Sequence, residues 1–429
     1  MDTVHDAERL KELQALPLSR KIQITQTRII EWYQHYDGNV CVSFSGGKDS
    51  TVLLHIARQI YPDIPAVFSN TGLEYAEIQR FVKSWDNVDI IVPEMRFDEV
   101  VSTYGYPLIG KEVAEAIHYA RKIRSQPVQV EREREDGRTL STNERNSAGY
   151  GQPHQDKYSE KQTNDTPREM GRNRDSYHFY EPKRRNRWLL NGFRKAGVVQ
   201  AKSQFNKEKY LPLARDVPVL ISHYCCFKMK KSPLHKYQKS HNYTPILATL
   251  AEESRVRKQA WIRHGCNAFE STNPMSQPMS FWTEQDVLTY LVKYAVPISS
   301  VYGEIVSVGD DGNYYPPLDL TGHPLTNLKC TGCQRTGCTF CAFGMHLEKK
   351  GKTHIQLLAE IEPRKYEYAI QGGQWSDNPY YDPTAPEYDG EWKNWNPKKI
   401  WTPSKKGLGM GKVFDMVNEI YGKDFYRYD

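Results

Sequence analysis

The sequence predicts an α/β protein built on a doubly wound, mainly parallel sheet, and three observations carry that prediction. Short apolar runs alternate with stretches of helical spacing through the first hundred or so residues. The first run breaks into Ser45-Gly46-Gly47-Lys48-Asp49-Ser50 and resumes helical spacing at Thr51-Val52-Leu53-Leu54, and the second ends in Asn70-Thr71-Gly72-Leu73-Glu74. Strands alternating with helices argue for a parallel sheet covered on both faces, with ligands at the carboxyl ends of the strands.

Each element follows in turn. Leu13, Leu16, Ile22, Ile29, Ile30, Trp32 and Tyr33 recur at mixed three and four spacing, which predicts one or two leading helices over residues 8–36. Val40-Cys41-Val42-Ser43-Phe44 is the first strand. The two glycines after it permit backbone angles that a side chain forbids and let N–H groups approach an anion, at which the following helix points its positive end. That helix is expected to run to about residue 61, followed by a strand at 66–69, a helix near 75–84 and a strand at 88–92. The pattern fails between about residues 122 and 200, and 125–178 reads as a long insertion. Another strand is expected at 245–250, running directly into charged residues. Residues 282–294 read as a helix capped by Thr283, and residues 354–361 as a further helix. The glycine-rich run at 406–412 imitates a nucleotide loop, but Val413 stands where Ser or Thr is needed, so it reads as a turn.

These features divide the chain into five parts. Residues 1–124 form the first part of a nucleotide-binding core, 125–200 a polar basic insertion and 201–300 the completion of the core with phosphate-binding arginines. Residues 301–360 form a cysteine-rich subdomain and 361–429 a C-terminal cap. No apolar run of about twenty residues could span a bilayer, and the first residues lack a secretory pattern, so a soluble cytoplasmic protein is expected. Composition does not reveal the oligomeric state.

Lys and Arg number 58 against 52 Asp and Glu, a net charge of +6. The basic residues gather at Arg121-Lys122-Ile123-Arg124 and Lys183-Arg184-Arg185-Asn186-Arg187, with Tyr177, Phe179, Tyr180, Trp188 and Phe193 nearby. Charge interleaved with stacking rings admits nucleic acid as a partner, solvated surface being the ordinary alternative.

Chemistry concentrates in three places. In the phosphate loop Lys48 brings a point charge, Asp49 a carboxylate that can hold Mg²⁺ or shape the loop, and Ser50 a hydroxyl donor. Nucleotide contacts are expected from Ser43, Ser45, Gly46, Gly47, Lys48, Asp49 and Ser50, joined by Asn70, Thr71, Gly72 and Glu74. The third place is Cys330-Thr331-Gly332-Cys333-Gln334-Arg335-Thr336-Gly337-Cys338-Thr339-Phe340-Cys341, two Cys-x-x-Cys pairs. In a cytosolic chain they suggest a metal rather than disulfides. The short spacer between the pairs favours a [4Fe-4S] cluster over zinc. Cys41 reads as a small buried hydrophobe, and Cys266 carries no signal.

The loop resembles the Ser-Gly-Gly-x-Asp-Ser signature of PP-loop ATP pyrophosphatases, whose fold is of the adenine nucleotide alpha hydrolase kind. Those enzymes cut ATP between its α- and β-phosphates and transfer the adenylyl group. Thr71-Gly72-Leu73-Glu74 matches an element of the 3'-phosphoadenosine 5'-phosphosulfate (PAPS) reductase family. So do Tyr106-Pro107 with Lys111-Glu112, the run from Cys225-Cys226 to Pro233-Leu234, and Glu253-Ser254-Arg255 with Arg257. The resemblance spans roughly residues 20 to 350 apart from the insertion. It implies that Arg255 and Arg257 lie against the nucleotide phosphates and act with Lys48 and Asp49 in catalysis. For the cluster it implies either Cys225, Cys226, Cys338 and Cys341, as in sulfonucleotide reductases, or Cys330, Cys333, Cys338 and Cys341, as in the similar DNA phosphorothioation enzymes.

The reductases attack their substrate with a thiolate near the C-terminus, and no cysteine follows Cys341 here. With the phosphate loop intact, the resemblance therefore implies an enzyme using ATP and Mg²⁺. Such an enzyme would adenylate an acceptor for sulfur transfer, nucleic acid among the acceptors and a cysteine desulfurase or other sulfur donor as partner. The alternatives are a PAPS or adenylyl-sulfate reductase that borrows its thiol from Cys330, Cys333 or a partner and releases sulfite, and a nucleotide-binding regulatory or defence component without turnover.

Overall fold

The computed structural model describes residues 5–124, 194–195, 198–199, 208–384 and 395–429. The insertion and its aromatic and basic residues lie outside the described residues, except for Arg121-Lys122-Ile123-Arg124 and a small hairpin noted below.

Two amphipathic helices, α1 (Ala7–Gln14) and α2 (Leu18–His35), lead into β1 (Val40–Ser43), and α3 (Lys48–Ile60) leaves it. Then come β2 (Ala66–Ser69), α4 (Ala76–Lys83), β3 (Val88–Ile91), α5 (Phe97–Tyr104), β4 (Leu108–Ile109) and α6 (Lys111–Arg124). The hairpin of β5 (Arg194–Lys195) and β6 (Val198–Val199) precedes α7 (Leu211–Asp216). A helical turn at Tyr224–Cys226 runs through a π-helical stretch, Phe227–Lys231, into α8 (Ser232–His241). Next are β7 (Thr244–Ile246), α9 (Arg255–His264), β8 (Asn267–Ala268), β9 (Met275–Ser276) and α10 (Glu284–Lys293).

The principal sheet has the order β3-β2-β1-β7-β9-β8, parallel except where β8 turns back on β9. Successive strands step outward from β1 to β2 and β3, and the chain then returns to β7 on the other side. The order reverses at β1, and such a switch opens a crevice beyond the carboxyl ends of the two strands beside it. Alternation along the strands supplies both faces. Val40, Val42, Ala66 and Phe68 join the main core, where α3 packs with α2 and α10, while Cys41 and Val67 meet Tyr237 of α8 on the other face.

Beyond α10 come β10 (Ile305–Val308), β11 (Tyr314–Tyr315) and β12 (Leu328–Cys330), a small antiparallel sheet ordered β11-β10-β12. The chain continues through β13 (Ala342–Phe343), α11 (His354–Ile361) and α12 (Pro363–Ile370) to a hairpin of β14 (Gln374–Asp377) and β15 (Lys399–Thr402), and ends in α13 (Met410–Tyr421). One continuous apolar core runs from Leu10 to Tyr426 and includes Cys330, Cys333, Met345, Ile355 and Val417. The cysteine-rich and C-terminal parts thus share the core of the sheet. No helix among the described residues is long and apolar enough to cross a membrane.

Three sequence expectations are modified. The strand expected at 245–250 is only Thr244–Ile246, because its outer neighbour β9 offers two residues. Helices α5 and α6 had no strong periodic signal. The run at 406–412 is a turn only through Gly409 and then enters α13 at Met410, and a short strand, β15, does precede it. Its N–H groups are spent within the protein: Leu408 donates to the Tyr368 carbonyl at 2.8 Å and Gly409 to that of Gln371 at 2.7 Å.

Where α6 ends, Arg121 is buried and donates to the carbonyls of Leu213, Ala214 and Val217, and to that of Val219. Its guanidinium lies 4.0 Å from the centre of the Trp395 ring.

Candidate nucleotide site and cysteine group

The loop from Ser45 to Ser50 sits at the carboxyl end of β1, beside the switch point. Gly46 has φ 71°, and a Cβ there would come within 2.7 Å of Val82 and 2.9 Å of Ile78, so α4 holds the loop down only because the residue is glycine. The loop is braced internally. Ser45 and Ser50 hydroxyls lie 3.0 Å apart, Ser50 donates to the Gly47 carbonyl at 2.9 Å and Thr51 to the same carbonyl at 3.0 Å. Two neighbouring strand ends carry buried hydroxyls, Ser43 Oγ and Thr249 Oγ1, that find no hydrogen-bond partner among the described residues. A buried unpartnered polar group at a crevice is a place where a ligand atom compensates desolvation.

Lys48 is buried, where sequence alone suggested a charge projecting to phosphate. Its ammonium pairs with the Glu284 carboxylate and donates to the Gln334 carbonyl at 3.0 Å. Its backbone N–H donates to the Tyr302 hydroxyl at 3.2 Å, and that hydroxyl lies 2.6 Å from Thr336 Oγ1. Segments far along the chain therefore close over the loop. Burial raises the Asp49 carboxyl above its ordinary value, opposed by the charges of Lys48, Arg257 and Arg335.

Arg257 stands in the first turn of α9, whose N-cap Ser254 accepts from the Arg257 N–H at 3.2 Å. It pairs with Glu253, and Arg335 approaches the other oxygen of that carboxylate at 3.9 Å. Burial, then the charge of Arg335, lowers the Arg257 value. Arg255 is exposed on the same turn. Sequence reasoning gave no site role to Glu284, Tyr302, Thr336, Thr249 or Arg335, although Arg335 and Thr336 lay in the cysteine string, Thr249 in the expected strand and Glu284 in the expected helix.

The Asn70–Glu74 element is tied to itself. Thr71 donates to Glu74 through its N–H at 3.1 Å and its hydroxyl at 2.8 Å, and Gly72 N–H donates to Asn70 Oδ1 at 3.1 Å. The Glu74 carboxylate, buried, also pairs with Lys230 at 3.4 Å, so it shapes this loop and joins it to the Cys225–Lys231 turn. Gly72, with nothing within 4 Å of a Cβ built on it, leaves the outer edge open.

The cysteine string divides. Cys330 and Cys333 are buried on the phosphate-loop side, where Lys48, Asp49 and Glu284 act on Cys330 and the Tyr75 phenol faces Cys333. Cys338 and Cys341 turn the other way, to Cys225 and Cys226. The Thr339 N–H and hydroxyl each donate to the Leu73 carbonyl at 2.8 Å, and β13 pairs in parallel with β4, which ends just before Lys111. The sulfurs of Cys225 and Cys226 are 4.0 Å apart, and the charges of Cys338 and Cys341 act on Cys225. The Cys225 thiol lowers Cys226 to about 6, assisted by Lys111 and Lys230 against burial. Burial, with Cys338 and Cys226 nearby, pushes Cys341 up to about 12. Of the two ligand sets the resemblance left open, it is Cys225, Cys226, Cys338 and Cys341 whose charges act on one another, although they are not drawn close enough to form a metal-holding group. No three His, Cys, Asp or Glu groups among the described residues are gathered as a metal-holding group.

Comparison with known proteins agrees with the position of the loop. Residues 39–129 match the phosphoadenosine phosphosulfate reductase domain. An adenosine 5'-phosphosulfate reductase of Staphylococcus epidermidis is 32% identical over 103 residues, 22% of this chain and 42% of that protein. A phosphoadenosine 5'-phosphosulfate reductase of Vibrio parahaemolyticus is 31% identical over 80 residues, 19% of this chain and 31% of the relative. An uncharacterized protein of Methanocaldococcus jannaschii, MJ0973, is 33% identical over 69 residues, 15% of this chain and 17% of its own. The chain spans less than half the length of each of these relatives. Residues 39–129, the segment that holds the glycine loop and the Thr-Gly-Leu-Glu turn, are thus similar to the phosphoadenosine phosphosulfate reductase domain.

Proposed function

We propose that this chain binds ATP with Mg²⁺ on the Ser45–Ser50 loop and adenylates an acceptor for sulfur transfer. The observation that carries the proposal is the intact Ser-Gly-Gly-Lys-Asp-Ser loop at the switch point, with Lys48 and Arg257 beside it. An acceptor oxygen attacks the α-phosphorus as the bond to the bridging α–β oxygen breaks, and pyrophosphate leaves with the electron pair. Loop N–H groups and Arg257 stabilise charge on the leaving phosphates, an electrostatic contribution that needs little rearrangement once the site is formed, and Lys48, paired with Glu284, holds the loop in shape. Asp49 supplies the carboxylate for Mg²⁺. A reduced sulfur from a donor protein then bonds to the activated acceptor atom as the bond to the adenylyl oxygen breaks and AMP departs. Nucleic acid is the acceptor class that suits the basic segment.

The chemistry of four neighbouring thiols with Lys111 and Lys230 beside them fits an iron-sulfur cluster better than an isolated thiol pair would. Cys225, Cys226, Cys338 and Cys341 would hold a [4Fe-4S] cluster, which when bound supplies a redox-active, sulfur-binding centre. The lysines would offset its negative charge.

The second reading is a sulfonucleotide reductase, favoured by the names of the relatives and by that same thiol group. Anaerobically reconstituted protein given ATP and Mg²⁺ with candidate nucleic acids should release pyrophosphate and AMP. Sulfite released from PAPS or adenylyl sulfate with a thiol, and no pyrophosphate from ATP, would replace the first reading with the second. Nucleotide bound without either product would mark a binding component.

A further inference from the structure

The stretch Gln334-Arg335-Thr336 joins the two Cys-x-x-Cys pairs and is also the part of the chain laid over the phosphate loop. The Gln334 carbonyl accepts from Lys48 Nζ at 3.0 Å, and Thr336 Oγ1 lies 2.6 Å from the Tyr302 hydroxyl that accepts the Lys48 N–H. Arg335 is held between these two anchors. We propose that Arg335 is a phosphate ligand of the bound nucleotide, closing on the anion opposite Arg257 so that α9 and the cysteine string clamp it from two sides. The inference rests on the Ser45–Ser50 loop being a nucleotide site.

Three features support it. Arg257 and Arg335 bring like charges to a single carboxylate, Glu253, which pairs closely with Arg257 and leaves Arg335 at 3.9 Å. Two guanidinium groups sharing one carboxylate form an arrangement that a polyanion satisfies better, since each fork can take its own phosphate oxygens. Second, the Arg335 side chain is 73% exposed, so it can swing without breaking a packed contact. Third, space opens beyond the Thr336 anchor: a Cβ at Gly337 would meet nothing within 4 Å, whereas one at Gly332 would come within 2.5 Å of the Val301 carbonyl. The string is fixed from Cys333 through Thr336, with open space beginning at Gly337.

The ligand chemistry is the phosphate chain on the 5' side of an adenine nucleotide, a phosphoanhydride or a phosphosulfate. Capture of that chain by Arg335 would also stiffen the segment between Cys333 and Cys338, so that the thiols on each side sense whether nucleotide is present.

Titration calorimetry on the full chain tests this with ATP·Mg²⁺, adenosine 5'-phosphosulfate and adenosine as probes. The wild type should bind at least one of the two phosphate-bearing probes. Arg335→Ala should weaken that binding about tenfold or more, and Arg335→Lys should recover part of it by keeping charge without the fork. Adenosine should bind the wild type and both variants alike. Maleimide labelling of Cys330 and Cys333 should be slowed by nucleotide in the wild type and not in Arg335→Ala. Equal affinities of the wild type and a folded Arg335→Ala overturn the role of Arg335 and leave the loop as the nucleotide site. Wild-type protein that binds neither phosphate-bearing probe overturns the nucleotide site itself, and the clamp with it.

Discussion

The two Cys-x-x-Cys pairs have the same spacing and stand four residues apart, yet they inhabit different sites. Cys330 ends β12, and the turn after it is stitched to a remote segment by Gly332 N–H to the Tyr302 carbonyl at 2.8 Å and Cys333 N–H to that of Val301 at 3.0 Å. Cys338 and Cys341 are stitched instead to the Leu73 carbonyl and, through β13, to β4. The difference teaches that equal thiol spacing does not make one ligand group. Backbone hydrogen bonds decide which way each pair faces, and here they turn one toward the phosphate loop and the other toward Cys225 and Cys226.

The largest test of that division is metal content. Cys341→Ala should lose nearly all iron and acid-labile sulfide after anaerobic reconstitution, while Cys330→Ala should retain them. Equal loss from both would erase the distinction. Next in size, Lys48→Ala should weaken ATP binding about tenfold or more and lower stability by about 1–3 kcal/mol in a denaturant titration, because the Gln334 carbonyl loses its buried donor. It should also speed alkylation of Cys330 and Cys333 and leave Cys338 and Cys341 unchanged. If all four thiols respond alike, the pairs are not separately anchored.

Smaller effects come from the glycines. Gly332→Ala puts a Cβ 2.5 Å from a carbonyl oxygen and should cost about 1–3 kcal/mol. Gly337→Ala meets open space and should stay within about 0.5 kcal/mol. Matching shifts in thermal midpoint for the two variants would show that the string is clamped along its whole length.

What could be read from the sequence was what neighbours in sequence decide. The loop, the Thr283 cap and the helix at His354–Ile361 rest on contacts within a few residues, the strand at 66–69 showed as a compact apolar run, and the structure has each of them. Helix α6 was missed because its buried face uses Val113, Ala114, Ala116 and Ile117, small side chains that give a weak stripe. At the site, Gly46 and the Thr71–Glu74 turn are local and were legible. Tyr302, Glu284 and Gln334 reach Lys48 across more than two hundred residues, so no pattern along the chain marks them. The cysteines were visible as metal-binding residue types, but their grouping depends on strand pairing.

Arg121 has a consequence for how the protein can change. By holding carbonyls of residues 213–219 from the end of α6, it ties two parts of the chain some ninety residues apart to each other. For a chain closed between two such points the entropic cost rises only with the logarithm of its length. Changes of length between residues 124 and 208 should therefore leave the Arg121 contacts, and the core they close, in place.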